Sequence, residues 1–387
     1  MLNWQCRRHV GADARYNHFT VKNERPDRVR NQADPLGAAP GLRLSRRRAC
    51  VSLVAALAAT GCSANPPPAP TIIAPIDLPT ATASPVQGKL LITRNGNFSV
   101  FDLGTLHESP LTHFPEGSFA ASPTLAPDGK QVAFTYYVLP KDENDLGGSD
   151  LKVMDLDGGS QRLVLAHPQP GASFEEPCWS ADGRTILATL RTTEYVNGKY
   201  QGVKIDVTRV GLAGGAPVTV VANAQTPAAS PDGKSLAYLT VDQQGSPTKL
   251  WVGNADGTNA RDILADQKYT YARAPHFAHD SSRIAFGAVG GPVSVPGKAI
   301  RRPADGPFGP AIAEAHGIPW EIWTVSPSGS DPRRLTHVQE DSPIPVWSPD
   351  DRWIAFAGEV GLYLVDAAGQ KTLRLSVSTS GGGLIWE

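Results

Sequence analysis

Histidine side chains are the first candidates for chemistry in this chain of 387 residues, because neutral imidazole is a common metal ligand. Three of them, His113, His167 and His337, each follow a Leu-Thr or Leu-Ala pair. Three imidazoles could hold zinc if all of them reached metal-to-nitrogen distances of about 2.0 to 2.1 Å. Whether they converge depends on the elements that carry them.

A second reactive group contains one thiol and two further imidazoles. Cys178 follows Pro177, and His276 and His279 follow Pro275. A packing role is favoured for Cys178, because free cysteine is among the most buried residue types and no base is near it in sequence. A metal-dependent lyase centre would need ligands at the equivalent positions of the repeats described next. Those positions carry Thr124, Ala228 and Val346.

The pattern that positions these residues is Pro-x-(apolar)-(Ser/Ala)-x-Asp, which occurs five times. Its aspartates are Asp128, Asp182, Asp232, Asp280 and Asp350, separated by 54, 50, 48 and 70 residues. Steps near 50 residues are close to the period of a four-stranded propeller blade and too long for a solenoid of single hairpins. The Ser-Pro-Asp-Gly segments supply the residues of tight turns. The chain is therefore predicted to be all-β, with a six-bladed β-propeller over residues 88–387.

The two ends of this region are predicted to complete one blade together. An outer strand pair over 99–111 precedes the first full repeat, and the strand pattern at 88–92 matches the second strand of later repeats. The missing inner strand is found at 384–387, where Leu-Ile-Trp-Glu matches the Pro-x-Trp register. Such closure removes a free sheet edge.

Propeller geometry argues against a metal site at the three recurring histidines. Their shared position lies at the end of an outermost strand, so neighbouring copies are separated by whole blades. We therefore expect these three histidines to be structural residues of the repeat that do not share a metal ion. Together with the ring of Thr124, Ala228 and Val346 around His276, this predicts no metal, no cofactor and no catalytic residue.

The repeats permit a family resemblance to be stated. The segments Trp-Ser-Pro-Asp at 347–350 and Ala-Ser-Pro-Asp-Gly at 229–233, each followed by an Ile/Leu-Ala-aromatic strand, resemble those of TolB-type WD40-like propellers. This resemblance implies a binding platform, although the same propeller also forms the gate domain of prolyl-oligopeptidase-type peptidases and the body of certain pectate-fragment lyases. No Gly-x-Ser-x-Gly nucleophile elbow occurs.

The segment before the repeats predicts export. Arg46 to Arg48 precede an apolar stretch over 49–59 and the sequence Thr-Gly-Cys at 60–62, which is the order of a secretory signal peptide. The segment at 59–62 is similar to a bacterial lipobox, which implies cleavage between Gly61 and Cys62 and lipidation of Cys62. We assign the signal peptide to 44–61 and leave 1–43 as a polar leader of doubtful status.

Residues 62–87 are rich in Pro, Ala and Thr and are predicted to form a disordered, extended linker after the lipidated cysteine. The expected location is therefore extracytoplasmic, on the periplasmic or extracellular face. The protein would be tied to the cell membrane or the outer membrane by its lipid anchor alone.

Composition narrows the possible partners. The net charge is −1 and charged residues make up 19% of the chain, so no basic field is available for nucleic acid. The four cysteines do not form a disulfide framework, since the leader and the lipid account for all but Cys178. The expected partner is a protein or a cell-envelope glycan or peptide, bound by a monomer.

A candidate binding face lies opposite the Ser-Pro-Asp turns, where the remaining connections emerge. It includes an insertion over 287–319, which explains the 70-residue step and is longer than ordinary loops. The candidate residues are Tyr195, Tyr200, Tyr269, Tyr271, Arg273, His276, Arg301, Arg302 and Trp320. The predicted function is a non-catalytic interaction scaffold. A metal-dependent carbohydrate lyase or hydrolase and a ligand-binding sensor ectodomain remain as alternatives.

Overall fold

The computed structural model describes residues 78–387, apart from 141–145, 198, 242–246, 266, 293–319, 339, 360 and 378–381. The described residues form strands, turns and irregular segments, and no helix occurs among them. The predicted leader, the signal peptide and the lipidation site at Cys62 lie outside the described residues.

The first sheet unit joins strands that are far apart in the sequence. β1 (Lys89–Arg94), β2 (Asn97–Asp102) and β3 (His107–Pro110) form an antiparallel ladder. The last strand in sequence, β24 (Leu384–Trp386), pairs with β1 and places Ile385 opposite Leu91. This pairing confirms the predicted closure of the first unit, which we call unit 1.

Units 2 and 3 are joined at one point into a single sheet. Unit 2 contains β4 (Ser118–Leu125), β5 (Gln131–Val138), β6 (Gly148–Asp155) and β7 (Arg162–Leu165). Unit 3 contains β8 (Ser173–Trp179), β9 (Thr185–Val196), β10 (Lys199–Gly211) and β11 (Val218–Ala222). A parallel pairing of Ser149 with Ser173 links β6 to β8.

The remaining strands form three separate four-stranded sheets. Unit 4 contains β12 (Ala224–Ala229), β13 (Ser235–Val241), β14 (Pro247–Asn254) and β15 (Arg261–Asp262). Unit 5 contains β16 (Tyr269–Phe277), β17 (Ile284–Gly290), β18 (Glu321–Val325) and β19 (Arg333–Arg334). Unit 6 contains β20 (Ile344–Trp347), β21 (Trp353–Ala357), β22 (Leu362–Asp366) and β23 (Thr372–Ser376).

The innermost strands of these six described units form a closed ring. In order they are β24, β4, β8, β12, β16 and β20, and each contacts the next, with β20 contacting β24 again. Antiparallel four-stranded sheets arranged around a central channel define a β-propeller. The predicted all-β propeller class is confirmed.

The apolar core lies between neighbouring units. Each of six buried clusters combines side chains from two adjacent units, as expected where no single sheet can bury its face alone. Hydrogen bonds reinforce the contacts: the buried indole of Trp347 donates from Nε1 to the carbonyl oxygen of His276 in the preceding unit, at 3.1 Å. Trp179 donates to Thr124 in the same way, at 3.1 Å.

The structure corrects two predicted boundaries. The linker prediction extended to residue 87, but Ala81 N donates to the carbonyl oxygen of Arg374 at 2.7 Å, and Leu78 and Val86 pack against the apolar clusters that flank unit 6. Residues 78–87 therefore belong to the propeller, because their apolar side chains find buried partners. The insertion was predicted to begin at Gly287, but β17 continues through Gly290, with Gly287 paired to Ile322.

Candidate functional site at the channel mouth

Four inner strands carry the same distortion next to the channel. In units 2 to 5 the register of the inner strand slips at the residue before the repeat proline. These residues adopt positive φ angles: Ser122 52°, Glu176 51°, Thr226 55° and Ala274 47°. Such a conformation costs on the order of 1–3 kcal/mol for a residue other than glycine. The bulge leaves the extra residue unpaired and kinks the inner strand beside the channel.

Side chains at and just before these bulges make the channel mouth chemically uneven. The position two residues before the proline is polar in units 3, 4 and 5, where it is Glu175, Gln225 and Arg273. In units 2, 6 and 1 the equivalent residues are Ala121, Pro343 and Gly382. We define the polar crescent as Glu175, Glu176, Gln225, Thr226 and Arg273.

Glu175 is held by its own unit. Its carboxylate accepts a hydrogen bond from the Ser173 hydroxyl at 2.7 Å. It also forms an ion pair with Arg191, whose Nε lies 3.2 Å from Oε1. Both charged groups of this pair are partly exposed. Glu175 and Arg191 therefore satisfy each other at the rim of the channel.

Glu176 is much less well satisfied. Its Oε2 accepts one long hydrogen bond from the Thr189 hydroxyl at 3.3 Å. The side chain of Glu176 is partly exposed, but most of its surroundings are protein. This desolvation, together with the charge of Glu175, raises the pKa of its carboxyl group. The Thr226 hydroxyl and the charges of Arg273 and Arg191 act in the opposite direction. Glu176 therefore interacts with groups from units 3, 4 and 5.

Arg273 lies on the unit 5 side of the same mouth. Its stem lies beside Gly287, where an added Cβ would come within 3.4 Å of the Arg273 Cγ. Glycine is needed at this point of β17 because the same Cβ would come within 2.6 Å of the Pro343 carbonyl oxygen. Arg273 is half-buried, and its guanidinium makes no hydrogen bond or ion pair with another described residue.

Deeper in the channel the predicted reactive residues are electrically neutral. Burial lowers the pKa of His276 to about 4, with the charge of His279 as a smaller cause. Burial also raises the pKa of the Cys178 thiol to about 11, and its Sγ accepts a hydrogen bond from Ala229 N at 3.2 Å. A neutral imidazole and an undissociated thiol are consistent with packing roles.

The three recurring histidines occupy separate units. His167 Nδ1 lies 2.6 Å from Asp150 Oδ1 at the outer edge of unit 2, whereas His113 and His337 are exposed beyond the outer strands of units 1 and 5. Within the part of the chain that the structure describes, no three His, Cys, Asp or Glu residues are grouped so that they could hold a metal ion.

The predicted aromatic residues divide into two groups. Tyr195 and Tyr200 form an edge-to-face pair with ring centroids 6.2 Å apart and are 56% and 57% exposed. They lie at the end of the β9–β10 hairpin, which extends past the pairing of β8 at Arg191 and of β11 at Asp206. This hairpin therefore presents an exposed aromatic tip.

The aromatic residues of unit 5 are mostly enclosed. Tyr269 packs edge-on against Trp323, with centroids 5.2 Å apart, and burial raises the pKa of its hydroxyl. Trp320 is 4% exposed and stacks on the partly exposed Tyr271 at 6.1 Å. Trp320 is therefore enclosed, whereas Tyr271 and Arg273 are partly exposed. Arg301 and Arg302 lie outside the described residues.

Sequence reasoning did not single out the acidic side of the mouth. The repeat pattern begins at the proline, so it does not include Glu175, Glu176 or Gln225. The available signal was the pair of residues before each proline, which varies from copy to copy while the proline and aspartate recur.

Comparison with known proteins agrees with the repeats. The Tol-Pal system protein TolB of Anaeromyxobacter dehalogenans (strain 2CP-C) is 32% identical over 120 residues, which is 31% of this chain and 25% of that protein. TolB of Anaeromyxobacter sp. (strain K) matches to the same extent. The chain thus spans about a quarter of the length of the curated relatives it matches. No protein-family model matches the chain.

Solved structures show the same fold. TolB from Acinetobacter baumannii superposes with a TM-score of 0.53 at 16% identity, covering 77% of this chain and 66% of that one. A chain of a nidogen/laminin complex gives a TM-score of 0.52 at 13% identity, covering 77% of this chain and 97% of that one. The domain therefore has a β-propeller fold, and 120 of its residues are similar in sequence to TolB. Among the described residues, no helix has the length and hydropathy needed to cross a bilayer.

Proposed function

We propose that this protein is an extracytoplasmic, lipid-anchored propeller that binds a protein partner at its channel mouth and performs no catalysis itself. The observation that carries the proposal is the polar crescent, in which Arg273 makes no hydrogen bond or ion pair with a described residue and Glu176 accepts a long hydrogen bond from Thr189. The local similarity to TolB, a protein named for the Tol-Pal system, supports a role in an envelope assembly.

The channel below the crescent supports a binding role over catalysis. Its imidazole and thiol, His276 and Cys178, are held in their neutral forms by burial. The aromatic surface near the mouth, with Tyr271 beside the channel and Tyr195 on the neighbouring hairpin, suits contacts with a polypeptide.

Affinity capture from solubilised membranes tests this proposal. The intact protein is compared with the double variant Glu176→Gln/Arg273→Gln and with Arg352→Gln, which changes an exposed arginine on the turn face. We expect the intact protein and Arg352→Gln to retain the same specific partner and the double variant to lose it. Equal capture by all three proteins would refute the channel-mouth assignment, and turnover of envelope glycans in the presence of divalent metals would refute the non-catalytic assignment.

The anchor is tested separately, since it rests on Gly61, Cys62 and the apolar stretch before them. A fatty-acid probe is expected to label the intact protein and not Cys62→Ser. Label that persists in the variant would contradict lipidation at Cys62 while leaving the propeller assignment intact.

A further inference from the structure

Arg273 differs from the other half-buried arginines of the propeller. Arg94 pairs with Glu108 at 2.7 Å and Arg283 pairs with Asp331 at 2.9 Å. Even the exposed Arg334 pairs with the buried Glu321 at 2.7 Å. Among the described residues Arg273 makes no such contact, although its surroundings are comparable.

Partial withdrawal of an arginine from water without a partner is unfavourable, because desolvation of the charge is not compensated. The stem of Arg273 lies beside β17, with its Cγ 3.4 Å from the position that a Cβ on Gly287 would take. A positioned guanidinium with free donors offers a planar fork that matches the two oxygens of a carboxylate. The free donors of Arg273 therefore favour an anionic, planar ligand group.

The other side of the mouth supplies the complementary acceptor. Glu176 is placed there by a backbone bulge with φ 51°, a conformation retained despite its strain. Its hydrogen bond from the Thr189 hydroxyl is long at 3.3 Å, and the Thr226 hydroxyl also bonds to it. The carboxylate consequently has spare acceptor capacity toward the channel, in a position influenced by Arg273 and by Thr226 of unit 4.

We propose that the channel mouth recognises a carboxylate of the partner polypeptide, which Arg273 binds through its guanidinium while Glu176 accepts a hydrogen bond from an adjacent N–H of the same ligand. This inference rests on the proposed function and specifies the ligand chemistry of that site. The carboxylate comes either from a chain end or from an Asp or Glu side chain, and one experiment distinguishes these sources.

The experiment measures retention of three acetylated tetrapeptide pools on the immobilised full chain, quantified by mass spectrometry. The first pool lacks Asp and Glu and has a free C-terminal carboxylate. The second is identical but C-terminally amidated. The third is amidated and contains one Asp or Glu. Each pool is applied to the intact protein, Arg273→Gln, Arg273→Lys and the turn-face control Arg352→Gln.

We expect the intact protein and Arg352→Gln to retain the first or third pool, and the second pool to pass through. Arg273→Gln should lower retention about 10- to 100-fold, which is the range for losing a charge-assisted hydrogen-bonded pair. Retention by Arg273→Lys should lie between that of the intact protein and that of Arg273→Gln, because lysine keeps the positive charge but lacks the planar guanidinium that binds two oxygens. Retention of the first pool identifies a chain end, and retention of the third identifies an acidic side chain.

Equal retention of the second pool, equal binding by Arg273→Gln, or no retention of any pool by the intact protein would overturn the inference. Thermal unfolding of each variant separates loss of the site from loss of the fold. If membrane capture still depends on the crescent while carboxylate dependence is absent, the proposed function stands and only the ligand chemistry is wrong.

Discussion

The two ends of the propeller channel differ in how their polar groups are satisfied. On the turn face, Asp232 accepts hydrogen bonds from the Ser230 hydroxyl at 2.6 Å and from Lys234 N at 3.0 Å. Asp182 repeats both bonds with its own neighbours. At the channel mouth Arg273 has no such partner among the described residues. The aspartates of the turn face are thus satisfied within their own turns, whereas the channel mouth leaves donors and acceptors available for a ligand.

The same contrast is visible in the electrostatics. Hydrogen bonds from Ser230 and from the Lys234 amide lower the pKa of Asp232, so its charged form stabilises the turn. Burial and the charge of Glu175 raise the pKa of Glu176, so its charged form is a local cost. Turn residues that recur in every copy, such as Asp232, therefore stabilise the ring, whereas residues that differ between copies, such as Glu176, lower its stability. This difference indicates where binding resides.

The largest expected effect is on the scaffold. Trp347→Ala removes a side chain that is 2% exposed and its hydrogen bond to unit 5, so we expect a loss of about 3–5 kcal/mol in the free energy of unfolding. Urea unfolding measures it. Arg273→Gln should change stability far less, and a comparable loss in that variant would remove the distinction between scaffold and site.

The turn face is expected to matter for stability and not for binding. Asp351 joins units 5 and 6 by accepting hydrogen bonds from His279 N at 2.8 Å and from Asp280 N at 2.9 Å. Asp351→Ala should therefore cost about 1–3 kcal/mol, because two backbone amides lose a charged acceptor.

The matched control is Asp128→Ala, which removes a hydrogen bond from Lys130 N within a single turn and should cost less in the same unfolding assay. If Asp351→Ala stayed folded but lost partner capture, the turn face would have to be part of the binding site.

Stability should depend on pH through the channel imidazole. The folded pKa of His276, about 4, is below its ordinary value of 6.5, so between these values the unfolded chain binds the extra proton and the folded state loses stability as pH falls. His279 and Asp351 are the charged groups that influence it. We expect a loss of about 3 kcal/mol from pH 7 to pH 4, absent in His276→Asn. Identical pH profiles for the two proteins would show that His276 stays solvated.

The smallest expected effect is a substitution that raises the stability of the fold, whereas most substitutions lower it. Because the pKa of Glu176 is raised, its ionised form destabilises the folded state above that pKa, and the cost disappears below the unfolded value of 4.5. Glu176→Gln should therefore stabilise the propeller by about 0.5–1 kcal/mol at pH 7 while weakening partner capture. Thermal unfolding at pH 7 and pH 4 provides the comparison. Destabilisation at pH 7 would mean that Glu176 is part of the scaffold.

The scaffold could be predicted from the sequence because its determinants are local and repeated. The prolines, the turn aspartates and the match of residues 384–386 to the inner-strand register led to the closure that Ile385 and Leu91 make. Tyr269 was assigned to the binding face from its loop position, but its contact with Trp323 depends on packing that no local pattern encodes. Arg273 was recognised as a candidate, whereas its relation to Glu176 was not, since the two are brought together only by closing the ring.

Site-specific photo-crosslinking in intact membranes tests the central claim most directly, with the photoreactive residue placed either at Gln225 in the polar crescent or at Lys234 on the turn face. The side chain of Lys234 is 81% exposed, so this position is an accessible control. We predict a specific partner adduct from Gln225 and none from Lys234. An adduct from Lys234 with none from Gln225 would contradict the account, because it would place the partner on the face whose polar groups are already satisfied.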